Sequence, residues 1–403
     1  MSDGVQAAGR GRSHVARLTF WLASGGFAIG SGEFAAMSLL PYYAHGFGVS
    51  ETVAGHAVSI YAIGAIIGAP LFAVLAVKVP RKTALLGFMA LIGIGYALAA
   101  AAPSMAALDV ARFISGLPHG AYYGMAMLLA ADMAGEEKRA RAASHIMLGL
   151  AVANIVGVPL INVIGQFLGW RVGFGLVAGL AALTTLMVWR IAPHEPAPQD
   201  SAPLKELLAL ANRQVLLVLA MGAIGNGAAF AVYAYYSAAF LQTVHLPEWW
   251  VSVGLVTYGA GIVLGNWSAG HLAGRNVLYA AFGFQLLLSI ATLAYAASIG
   301  SAPMMFAAMF LTGAGGGLVV PLQTRLMDVA GEGQTMAAAM NHAAFNAANA
   351  LGPWLAGLVL AAGMGWQSAG VVGFALSMGG LLFWLAIMVT TTRGSRHHHR
   401  YAD

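Results

Sequence analysis

Glu33 lies inside an otherwise apolar stretch running from about 18 to 43, within Gly30-Ser31-Gly32-Glu33-Phe34. A carboxylate in the middle of a membrane span costs roughly 2.5–3.5 kcal/mol on insertion scales. Such a group faces a protein or water-filled interior, where it can take up a proton, find a partner, or both. Glu33 is therefore read as a proton-coupling group, with a plain hydrogen bond to a neighbouring helix as the alternative. A second apolar run carries Arg112 and His119. An arginine does not shed its proton in practice, so its work would be to tune the proton affinity of a nearby carboxylate or to hold an anionic group. Glu33, the one carboxylate deep in a span, is its expected partner. Asp109, three residues before Arg112, competes for that place, and outward snorkelling is a third reading. His119 reads either as a proton relay or as a hydrogen-bonded packing residue.

These groups need a membrane-spanning scaffold, and the composition supplies one. The chain is 60% hydrophobic and only 8% charged. Apolar segments long enough to cross the ~30 Å hydrocarbon layer recur along its length. Twelve spans are expected, at about 18–43, 53–77, 83–102, 107–133, 140–166, 170–191, 214–241, 249–273, 277–300, 302–327, 335–362 and 367–391. Abundant Gly and Ala, without strand-type alternation, make them helices. The fold class is an all-α membrane protein.

Charge placement gives the orientation. All of the 19 Lys and Arg except Arg112 and Arg171 fall before span one, after the even-numbered spans, or in the central loop. The positive-inside rule then puts both termini in the cytoplasm, in the inner membrane. This asymmetry also accounts for the net charge of +5, so no nucleic-acid partner is expected. The polar leading segment 1–17 and the long first apolar run argue against a cleavable signal peptide. With no Cys, thiolate chemistry and Cys-based metal sites are excluded. His397, His398 and His399 sit in a cationic tail and do not define a metal geometry. No metal site and no cofactor are expected, and no nucleophile–base pair or phosphate loop suggests an enzyme.

The segment 192–213 holds Pro193, Pro196, Pro198 and Pro203 and divides the spans six and six. Residues 1–191 form one expected bundle and 214–403 the other, with 192–213 as a cytoplasmic linker. The halves repeat at a nearly fixed offset. Tyr61, Gly64 and Gly68 recur as Tyr258, Gly261 and Gly265; Asp132, Ala134 and Gly135 as Asp328, Ala330 and Gly331; Ala153-Asn154 and Gly157 as Ala348-Asn349 and Gly352. Parallel six-helix repeats place a binding site near the midplane where the halves meet, exposed alternately to each side as one half rocks on the other.

Four stretches carry a family likeness. The first is Gly30-Ser31-Gly32-Glu33-Phe34. The second is Gly68-Ala-Pro-Leu-Phe-Ala-Val-Leu-Ala-Val-Lys78-Val-Pro-Arg81-Lys82. The third is Arg112-Phe-Ile-Ser-Gly116-Leu-Pro118-His119-Gly120-Ala-Tyr-Tyr123-Gly124. The fourth is Gly149-Leu-Ala-Val-Ala-Asn154-Ile-Val-Gly157-Val-Pro159-Leu-Ile-Asn162-Val-Ile-Gly165. The chain resembles a major facilitator superfamily transporter of the drug:proton antiporter type, nearest the arabinose and sugar-efflux-like branch. That resemblance implies two pseudo-symmetric six-helix bundles and export of a small solute. It also implies a cytoplasmic gate at Lys78, Arg81 and Lys82. The acidic residue the pattern usually has near Ala76 or Val77 is absent here, which leaves Asp132 to pair with Arg81 or Lys82. Ile161-Asn162 likewise departs from the small pair usual after that proline.

Polar and aromatic stripes mark the other cavity wall. Asn226, Phe230, Tyr233 and Ser237 share one face of span seven; His342, Asn346, Asn349 and Pro353 share one of span eleven. Asn266 lies in span eight, and Tyr61 and Tyr123 complete the candidate set from the first half. Amides, hydroxyls and aromatic faces suit a polyol or an amphiphilic drug, although such Asn residues can equally bond helix to helix. The expected function is proton-coupled export of a small organic solute by a monomer in the lipid bilayer. An uptake symporter or uniporter is the alternative, and a non-transporting membrane sensor a more distant one.

Overall fold

The computed structural model describes residues 2–76, 78–135, 138–193, 212–330 and 334–399. Nearly all of the linker expected at 192–213 lies outside the described residues, as do the side chains of His397, His398 and His399. Among the described residues the chain makes twelve helical passes and no strand. Helix is the form that satisfies every backbone N–H and C=O within its own segment where water is absent.

The first pass is Ser2–Ser38, continued as Leu40–Phe47; the second is Glu51–Ala54 with His56–Leu75. Arg81–Ala101 forms the third, and Met105–Gly116 with His119–Ala134 the fourth. The fifth runs Arg139–Val152, a π turn at Ala153–Gly157, then Val158–Leu168; the sixth is Trp170–Ile191. In the second half, Arg213–Gly225 and Gly227–Thr243 form the seventh, Trp250–Arg275 the eighth and Val277–Ser298 the ninth. Ala302–Gly315, a 3-10 turn at Gly316–Leu318 and Val319–Val329 form the tenth. Gln334–Ala361 and Gln367–His399 complete the set.

Among the described residues, nine of the passes are long and apolar enough to cross a membrane on length and composition alone. The remaining three are passes one, four and eight. The first carries Glu33, the fourth carries Arg112 and is interrupted at Pro118, and the eighth carries Asn266 and His271. In these passes Glu33 and Arg112 are buried, while Asn266 and His271 are exposed.

The repeat in the sequence is a repeat in the packing. A Cβ on Gly116 of pass four would collide with the carbonyl of Tyr61 in pass two, and one on Gly313 of pass ten with the carbonyl of Tyr258 in pass eight. Gly64 and Gly68 face the carbonyls of Phe113 and Leu117; Gly261 and Gly265 face those of Phe310 and Ala314. Small residues let the paired backbones approach this closely. The outer passes also match, with the third along the sixth and the ninth along the twelfth.

The halves meet through passes two against eleven and five against eight. Their polar contacts lie on the side away from the chain termini. Gln242 donates to Glu51 (2.6 Å), Tyr42 to Glu248 (3.4 Å), Gln166 to the Glu248 carbonyl (3.1 Å) and Ser252 to Asn162 (3.0 Å). Asn162 also donates to the Ser38 carbonyl at 3.0 Å. On the side of the termini, Arg81 pairs with Asp132 and Lys82 donates to the Ala192 carbonyl (2.7 Å), all within the first half. Among the described residues the hydrogen bonds between halves lie at mid-height or on the far side.

Gly116→Ala and Gly313→Ala should each lower stability by roughly 1–3 kcal/mol, read as a depressed unfolding midpoint of the purified protein in detergent. Similar losses at the two positions are expected; a loss in only one half would break their equivalence.

Candidate functional site

At mid-height, Glu33 is buried and its carboxylate joins the two halves. Asn349 of pass eleven donates its Nδ2–H to Glu33 Oε1 at 2.7 Å. Glu33 Oε2 is 3.7 Å from His119 Nδ1, and that nitrogen is 2.9 Å from the Tyr61 hydroxyl. Either partner of the His119–Tyr61 contact can supply its proton. Four passes (one, two, four and eleven) therefore converge on one acid.

Arg112 is fully buried, which removes the snorkelling reading. Among the described residues it makes no ion pair with Glu33, its expected partner, or with Asp109. Its Nη1 donates to the Tyr96 hydroxyl (3.0 Å) and the Gly32 carbonyl (3.4 Å), and its Nε to the Ala57 carbonyl (3.4 Å). The guanidinium lies 4.1 Å from the centre of the Tyr61 ring. A planar cation over an aromatic face is attracted by the ring quadrupole. Contact thus runs from Arg112 to Tyr61, on to His119, and from there to Glu33. Nη2 has no hydrogen-bond partner among the described residues.

Pass four explains the arrangement. Proline supplies no N–H and clashes with the carbonyl four residues before it, so the helix stops at Gly116 and restarts at His119. Arg112 and His119 are on separate segments, and both reach Tyr61, the guanidinium over its ring and the imidazole at its hydroxyl. Tyr123, on the second segment, donates to the Gly26 carbonyl at 2.7 Å and fixes that segment to pass one.

Aromatic rings flank the acid. Phe34 stacks on Phe230 (6.1 Å, 8°) and meets Tyr233 edge-on (5.8 Å); Phe230 meets Phe345 at 4.9 Å, and Tyr233 meets Tyr258 at 4.4 Å. His342 stacks on Tyr123, with centroids 6.0 Å apart and planes 2° apart. Asn346 donates to the His342 carbonyl of its own helix, and Asn226 to that of Gly222. The Asn346 and Asn349 oxygens and the Tyr233, Tyr236 and Ser237 hydroxyls are buried without partners among the described residues. Asn266 is exposed, seven residues after the Gly259 that packs on Asn154. Lys78 is exposed on the side of the termini, away from this cluster.

Tyr96 and Phe34 were not among the sequence candidates, and Asn349 was noted in a stripe and in the repeat without being put forward as a site residue. A lone tyrosine in the aliphatic pass 81–101 was the available signal for Tyr96. For Asn349 it was the repeat with Asn154.

A model of the Major Facilitator Superfamily matches residues 22–333. The chain belongs to that superfamily. It is 37% identical over 353 residues to the inner membrane transport protein YdhP of Escherichia coli K12, covering 87% of this chain and 91% of that protein. It is 33% identical over 341 residues to a chloramphenicol resistance protein of Streptomyces lividans, covering 83% and 86%. The solved structure of a point mutant of the nucleoside transporter NupG superposes with a TM-score of 0.74 at 15% identity, over 92% of this chain and 99% of that one. This superfamily member is a multi-pass membrane transporter, and the midplane cluster sits where its two halves meet.

Arg112→Lys keeps the charge but loses the planar fork. It leaves the Tyr96 hydroxyl and two carbonyls short of donors, a cost of about 1–3 kcal/mol for each buried group left unsatisfied. A clearly lowered melting point in detergent is expected; an unchanged one would show that the guanidinium geometry is dispensable.

Proposed function

We propose that this transporter is a proton-coupled exporter of a small organic solute, working by alternating access. The observation that carries the reading is the Glu33–Asn349 hydrogen bond, which ties an acid of one half to an amide of the other. An ionised carboxylate accepts from the amide more strongly than a protonated one. Protonation of Glu33 therefore changes how firmly the halves are joined at mid-height, which links proton occupancy to the inward- and outward-open states. Tyr61 and His119 connect this event to Arg112, which stays charged throughout.

In this reading both termini are cytoplasmic, the membrane is the inner membrane, and the described conformation is open to the cytoplasm. Residues 1–191 and 214–403 are the two rocking units, joined by 192–213, and the protein acts as a monomer. Arg81, Lys82, Lys78 and Asp132 form the cytoplasmic gate region. Solute binds among Tyr61, Tyr123, Asn226, Phe230, Tyr233, Asn266, His342 and Asn346. Paired aromatic faces beside unpartnered amide and hydroxyl groups suit an amphiphile bearing hydroxyls or amides. Relatives named as a chloramphenicol resistance protein and as a probable sugar efflux transporter support export of such a compound.

The test is gradient-driven transport in proteoliposomes, with chloramphenicol and arabinose as probes. The wild-type protein should move a probe against the imposed proton gradient. Glu33→Gln should abolish that movement without changing expression or melting point. Full pH-dependent transport by Glu33→Gln would remove Glu33 from the coupling, and movement of solute along with the protons would make the protein a symporter.

A further inference from the structure

Asn162, the residue that replaces a small one after Pro159, is fully buried in pass five. Its Nδ2 donates to the Ser38 carbonyl at 3.0 Å. Its Oδ1 accepts from the Ser252 hydroxyl (3.0 Å) and from Gln166 Nε2 (2.8 Å). A side-chain amide can make four hydrogen bonds, and three are made here, to pass one, to pass eight and within pass five. The Ser38 carbonyl is left for Asn162 by the break in pass one. In a continuous helix the Tyr42 N–H would reach it, but that N–H goes to the Leu39 carbonyl instead. Gln166 extends the group by donating to the Glu248 carbonyl (3.1 Å), just before pass eight. The contacts of Ser252 and Glu248 cross from one half to the other.

The internal repeat marks the same place on the opposite flank. The offset that carries Asn154 and Gly157 onto Asn349 and Gly352 carries Asn162 onto Gly357. The offset that carries Tyr61 onto Tyr258 carries Gly55 onto Ser252. Gly55 and Gly357 also sit together, for a Cβ on either would collide with the Tyr235 hydroxyl. Tyr235, from pass seven, donates to the Pro353 carbonyl (3.2 Å) and fills the space beside the two glycines. Equivalent positions therefore meet at both flanks of the molecule. One meeting is a bond between side chains, and the other is a ring lodged against glycine.

We propose that the Ser252–Asn162 hydrogen bond is a gate contact on the side away from the termini. It holds the halves together there and breaks whenever the midplane opens toward that side. The buried hydroxyl and amide oxygen give up this bond only when water can replace it. The gate rests on the alternating-access part of the proposed function, and neither proton coupling nor the direction of transport enters it.

The chain contains no Cys, so one introduced thiol is a unique reporter. Ser59 is buried between the halves, where its hydroxyl donates to the Ala350 carbonyl at 3.0 Å. The full chain carrying Ser59→Cys is reconstituted in oriented vesicles, and a membrane-impermeant maleimide is applied to each face in turn. The reaction rate reports how often the halves part toward that face. Ser252→Ala should raise the rate from the face away from the termini about two- to tenfold. It should not raise the rate from the face of the termini. Asn162→Ala should do at least as much, and the double variant should match Asn162→Ala alone, because two partners in one bond are not additive. An unchanged rate in Ser252→Ala would overturn the gate, and so would additive effects. A rise at both faces would mark general loosening and do the same. No reaction from the far face in any variant would overturn alternating access itself, and the gate with it.

Discussion

A carboxylate held out of water at mid-membrane must be met by polar partners or by a proton, and the arrangement of this molecule follows from that constraint. Glu33 is met by an amide from the opposite half and by an imidazole from its own. The one permanent cation nearby, Arg112, is kept off the carboxylate and is engaged by two carbonyls, a hydroxyl and an aromatic face. A direct Arg–Glu ion pair would have fixed the acid in one charge state, because removing either partner of a buried pair is costly. Instead, Tyr61 and His119 stand between the guanidinium and the carboxylate.

The scaffold accomplishes this by bringing backbones very close. Glycines at equivalent places in the two halves face carbonyl oxygens of the neighbouring pass, and these contacts set the depth at which Tyr61 and Tyr258 lie. In the first half that depth delivers the Tyr61 hydroxyl to His119. In the second it delivers the Tyr258 ring to Tyr233. One packing rule used twice thus yields a polar wall on one side and an aromatic wall on the other.

Much of this was legible in the residues. Hydropathy and the spacing of glycines gave twelve passes and the internal repeat, because both are local patterns with a fixed period. Glu33 stood out because an isolated acid in an apolar run has no cheap alternative explanation. Arg112 was expected to partner Glu33 because no other carboxylate lies deep in a span, and in the structure Tyr61 and His119 stand between the two. Asp132 was expected to pair with Arg81 or Lys82; Arg81 takes it, and Lys82 reaches the Ala192 carbonyl at the end of pass six. Partners such as Tyr96 and the Gly32 and Ala57 carbonyls come from other passes, and no spacing within one segment reports them. Asn162 shows the converse. Its departure from the family pattern is plain in the sequence, while its service as a contact to Ser252 of the other half needed three dimensions.

Interruptions in the passes are unevenly distributed. Passes three, six, nine and twelve are each one unbroken helix. Passes one, two, four, five, seven and ten each contain a break, a π turn or a 3-10 turn. The four outer passes are thus stiff staves, and every jointed pass lies inside them beside the unbroken eighth and eleventh. A barrel so made can flex at its lining while its outer wall keeps shape, so opening and closing need not be the work of two rigid blocks alone. Local bending at Gly225-Asn226, Pro118 or the 153–157 turn could admit or release a solute with little disturbance of the lipid-facing surface.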